Sequence, residues 1–60
     1  MNNNEKQIFI EWLRTEIYDM GILIEQMEKL PNMDSMLSHY REKVMGYSIV
    51  LIDLENRHEG

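Results

Sequence analysis

Sixty residues with no cysteine and a formal charge of −5 make one small domain, 1–60, without disulfides or the usual Cys-based zinc sites. The charge argues against direct nucleic-acid binding, because affinity for phosphate backbones comes mainly from Lys and Arg, and the six bases Lys6, Arg14, Lys29, Arg41, Lys43 and Arg57 form no stripe. No stretch reaches the roughly 20 apolar residues that span a bilayer, and the start Met1–Lys6 lacks the basic region and apolar core of a secretory signal. A soluble protein of a bacterial cytosol, or of an infected host's cytosol, is therefore expected. Acids are spread over both halves, six in residues 1–30 and five in 31–60, which reads as a solvated surface rather than a DNA-like array.

Helix 1 is predicted over about 4–30. Asn4 is the expected N-cap, Gln7 three residues on would close a capping box, and Glu5 favours the positive helix end. Ile10, Leu13, Ile17, Met20, Ile24 and Met27 follow at alternating steps of three and four, which places them on one stripe. Lys29 suits the last turn, and Pro31 biases Leu30 out of the helical region, so the helix should end there.

The connection Pro31-Asn32-Met33-Asp34 is short, with Asn32 or Asp34 as the cap of a second helix over about 34–57. That helix carries its own stripe: Met33, Leu37, Tyr40, Val44, Tyr47, Leu51 and Leu54. A short loop makes the helices antiparallel neighbours. Contacting residues should then have numbers that sum to about 64, which sets Ile10 against Leu54, Leu13 against Leu51 and so on to Met27 against Leu37. The predicted fold is all-α, an antiparallel two-helix hairpin.

A second set of apolar residues is left over. Ile8, Phe9, Trp12, Ile22, Leu23 and Leu30 lie off the first stripe, as do Met36, Met45, Ile49, Val50 and Ile52. Exposed patches of this kind mark interfaces, and a second copy is the simplest partner, giving a homodimeric four-helix bundle. Trp12, Leu23, Met45, Ile49 and Ile52 are the expected interface residues, with Trp12 as anchor. Tyr40 and Tyr47 read as core. Gly21 and Gly46, each weak in a helix interior, imply a close approach, room for a side chain such as Tyr18 or Tyr47, or simple tolerance.

Candidate chemistry is thin. Glu55 and His58 have the Glu-x-x-His spacing of di-iron bundles, but helix 1 places no acid on its stripe to complete a site. No serine, histidine and acid are set together, Ser35, Ser38 and Ser48 read as cap or packing residues, and no glycine-rich phosphate loop occurs. A hairpin of this size should also lack a concavity of roughly 300 Å³ or more. No catalytic residue, cofactor or metal is expected, and the protein is not expected to be an enzyme.

Residues 48–53 read Ser48-Ile49-Val50-Leu51-Ile52-Asp53. In architecture the chain resembles the small acidic hairpins of sporulation, the aspartyl-phosphate phosphatases that act on response regulators. Their second helix carries Ser-Gln-Glu-Leu-Asp, and the acid and amide of that signature are missing here, so no family is assigned. The Asn-rich start and short length also resemble small accessory proteins of bacteriophages, many of which bind and block a host protein. The expectation is a protein-interaction module that inhibits or regulates another protein; the second resemblance implies a phage- or prophage-encoded inhibitor of a host protein. The alternatives are a signalling regulator acting on a response regulator or kinase through Asp19, Glu42 or Asp53, and a structural assembly protein.

Overall fold

A computed structural model describes residues 2–57. Within them the chain forms two helices, α1 (Asn3–Glu28) and α2 (Asp34–Asn56), packed side by side as a hairpin. The first helix starts two residues earlier than Asn4 would place it. Asn2 is the N-cap, and its side-chain oxygen accepts the Glu5 backbone N–H at 2.8 Å. The cap thus lies two residues upstream of the expected Asn4–Gln7 pair, at Asn2 with Glu5 three residues on, and Asn3 and Asn4 enter the first turn.

α1 ends at Glu28, with Lys29 as its C-cap. Its last carbonyls are taken by tight bonds from the turn, Lys29 N–H to Gln26 O at 3.2 Å and Leu30 N–H to Met27 O at 3.0 Å. Neither expected cap of the second helix is used. Asn32 stands in the left-handed region with φ 60°, a conformation asparagine tolerates and an N-cap does not adopt. Met33 is the N-cap and has no side-chain cap bond, while Asp34 sits in the first turn, where its charge favours the positive helix end.

The two stripes meet as the register requires. All thirteen stripe residues are buried or half-buried; Ile10, Leu13, Met20, Met27, Leu37 and Leu54 are the buried ones. Ile10, Leu13 and Leu54 form the core at the open end, with Phe9, Tyr47 and Leu51 packed around them. Among the described residues no polar side chain is buried, so the seam is held by apolar contact alone. Tyr40 and Tyr47 are only half-buried, which leaves their hydroxyls free to meet water. At the same end the Lys6 ammonium donates to the Arg57 carbonyl at 3.2 Å, placing a cation on the negative end of α2.

Among the described residues no helix is long and apolar enough to cross a membrane.

Candidate interaction surface

The hairpin has two flanks, and they differ in chemistry. Arg14, Gly21 and Glu28 recur every seven residues on α1, and Arg41, Ser48 and Glu55 do so on α2. Two ion pairs join these rows across the helices, Arg14 to Glu55 at 2.5 Å and Arg41 to Glu28 at 2.8 Å. Both pairs have residue numbers with the same sum, as one register demands. Arg14 also holds Glu11 at 3.2 Å. The hydrogen bond and charge of Glu55, with a smaller share from Glu11, raise the Arg14 guanidinium above its ordinary value. It is charged at any working pH regardless, so the shift supplies no acid–base chemistry.

Trp12 stands two residues from Arg14, about 200° around the helix, and so looks out on the opposite flank. There it stacks on Phe9 with ring centroids 5.9 Å apart and leans against Tyr47 at 5.7 Å. The Phe9–Trp12 spacing of three places both rings on one helix face, and the chain register brings in Tyr47 from α2. Leu23, three turns on from Trp12, shares this flank. So do Met36 and Val50, which belong to the seven-residue row of Lys43 on α2. The Lys43 ammonium lies 6.0 Å from the centre of the Tyr40 ring, and His39 meets the same ring edge-on at 5.3 Å.

The five expected interface residues do not share one face. Trp12 and Leu23 lie on the aromatic flank. Met45, four residues after Arg41, and Ile52, three before Glu55, lie on the ion-pair flank, and Ile49 between them points away from α1. Exposure separates the sets as well: Trp12, Leu23, Met36 and Val50 are 42–49% exposed, whereas Met45, Ile49 and Ile52 are 57–64% exposed. The aromatic flank is a partly built platform, and the other apolar residues stand singly among charges.

Phe9, Tyr47, Met36 and Val50 complete a surface that the periodic pattern of each helix alone does not assemble. The signal that finds them is the register carried one step past the seam, because it decides which flank of α1 lies beside which flank of α2. The same step locates the two interhelical ion pairs.

Neither glycine is explained inside the hairpin. A Cβ at Gly21 or Gly46 would meet nothing within 4 Å, so no close approach and no packed tyrosine requires either one. Gly21 belongs to the ion-pair flank. Gly46, two residues from Ser48, faces the other side.

The site chemistry follows the surface. Among the described residues no group of three His, Asp or Glu is placed to hold a metal ion; Glu55 is engaged by Arg14, and His58 lies outside the described residues. One concavity, of about 380 Å³, exceeds the size expected for this hairpin, but all its lining residues (Asp34, Leu37, Ser38, Arg41, Glu42 and Met45) come from α2. It is a groove along one helix, open to solvent, not a chamber between elements. Asp53 is held by Arg57 at 2.7 Å. Comparison of the chain with protein-family models, curated proteins and solved structures returned no match.

Proposed function

We propose that the protein is a non-enzymatic interaction module: a homodimer of hairpins, forming a four-helix bundle, that binds another protein and thereby inhibits or regulates it. The observation that carries this reading is the balance of apolar surface. Among the described residues eleven large apolar side chains stand exposed, against six buried. Each large apolar side chain moved out of water is worth roughly 1.5–3 kcal/mol, and a core one residue deep rarely supplies more than about 3–5 kcal/mol in a chain of this size. A hairpin so built gains from association, first with its own copy.

The acidic surface suits a target with a basic face, including one that otherwise holds nucleic acid. A phage or prophage protein that blocks a host protein fits that description. Two measurements test it. Light scattering across a range of concentrations should give twice 7.3 kDa at micromolar levels. Immobilised protein should capture a stoichiometric bacterial partner whose activity falls on binding. A compact monomer at high micromolar concentration sinks the dimer, and an intact target activity in the complex sinks inhibition.

A further inference from the structure

Building on the homodimer reading, we infer that the second copy docks on the aromatic flank, formed by Phe9, Trp12, Leu23, Met36, Gly46 and Val50, and that it seats its α2 on this chain's α1. The ion-pair flank stays free.

Two observations separate the flanks, and two more show that the chosen flank can take a second copy. The aromatic flank holds a preformed ring stack, Phe9–Trp12–Tyr47, so its largest side chain is already ordered before association. The opposite flank is bridged at both ends by Arg14–Glu55 and Arg41–Glu28, whereas the ion pair on the aromatic flank, Asp53–Arg57, lies within α2 at the open end only; covering the interhelical ions with a second hairpin would strip their water. A flank 49 Å long and 13–14 Å wide offers on the order of 650 Å² in projection, near the roughly 800 Å² each partner gives to a stable interface. Gly46 leaves open space at mid-height on this flank, where a neighbouring helix can come close.

Charge sets the orientation. Glu16 and Asp19 lie beside Ile17 and Met20 on α1, at the height where Val44 and its neighbour Lys43 lie on α2. A two-fold axis along the hairpin puts α1 against α2 of the second copy, so these acids face its Lys43. The two loops then lie at the same end. The other two-fold arrangement sets α1 on α1 and brings Glu16, near the middle of α1 (Asn3–Glu28), against its own copy, which is repulsive.

The paired glycines provide the test. Gly46→Glu and Gly21→Glu add the same side chain to helix interiors where the hairpin itself has room, one on each flank. Far-UV circular dichroism checks that both variants remain helical, and light scattering reads their mass. The expected result is a monomeric Gly46→Glu and a dimeric Gly21→Glu. Any other pairing of masses for folded variants overturns the flank assignment, whereas a monomeric parent protein refutes the dimer reading itself. Trp12, the single tryptophan, gives a reading without mutation: its emission should shift to longer wavelength as dilution dissociates the dimer. Dissociation with unchanged emission also overturns the assignment. In the parent dimer, spin labels on Ser35→Cys, unique in a cysteine-free chain, should lie well under half the 49 Å molecular length apart; a separation near the full length overturns the orientation.

Discussion

At the scale of single residues, the turn is the most demanding place in the chain. Asn32 adopts φ 60°, which costs an ordinary L-residue roughly 1–2 kcal/mol and glycine almost nothing. Asn32→Ala should therefore lower stability by about 1 kcal/mol, and Asn32→Gly should match or exceed the parent. Thermal melts followed by circular dichroism decide the matter; equal melting of the alanine and glycine variants would show the turn to be unstrained. The same residue explains why the start of α2 was hard to read from sequence. Asn32 and Asp34 both carry good capping side chains, but the left-handed turn takes the first and the helix takes the second as its opening residue. Met33 is left as cap, and its side chain belongs to the seam instead.

At the scale of the helices, apolar seam and charged flank carry very different weights. Leu13 is the most buried side chain, 2% exposed, and Leu13→Ala should cost about 2–5 kcal/mol. Since that rivals the whole stability of so small a core, the variant should lose most of its helicity at 25 °C; a cooperative melt near the parent's would contradict the seam as the main source of stability. The ion pair Arg14–Glu55 has both partners well exposed, and a double-mutant cycle with alanine at each should return no more than about 1 kcal/mol, falling as salt is added.

This contrast also shows what the sequence made legible. The seam repeats at every turn, so thirteen residues report the same contact and the hairpin can be read from them. Each flank depends on combining two helices after the register is chosen. Thus Trp12 and Met45 look alike as off-stripe apolar residues, and only the ion pairs and the ring stack reveal that they lie on opposite sides. Gly21 and Gly46 are similarly indistinct in sequence, since both are simply helix-weak, and their difference emerges from the flank each occupies.

At the scale of the whole molecule, the test of a bundle built from two copies is thermodynamic. A hairpin that folds alone melts at a temperature independent of its concentration, whereas a folded dimer that dissociates on unfolding does not. Unfolding absorbs about 0.7 kcal/mol per residue near 60 °C, so two copies of this chain should absorb on the order of 80 kcal/mol. Each tenfold rise in concentration adds about 1.4 kcal/mol in favour of the dimer, and with that enthalpy the melting temperature should climb by about 6 °C. Calorimetry at 10 and 100 µM resolves such a shift easily. A melting point fixed across that range would assign the folded state to the single hairpin, with its exposed apolar residues then reserved for a different protein. The Gly46→Glu variant sharpens the comparison: if the aromatic flank is the dimer surface, its melting temperature should become independent of concentration while the slope for Gly21→Glu stays at the parent's value.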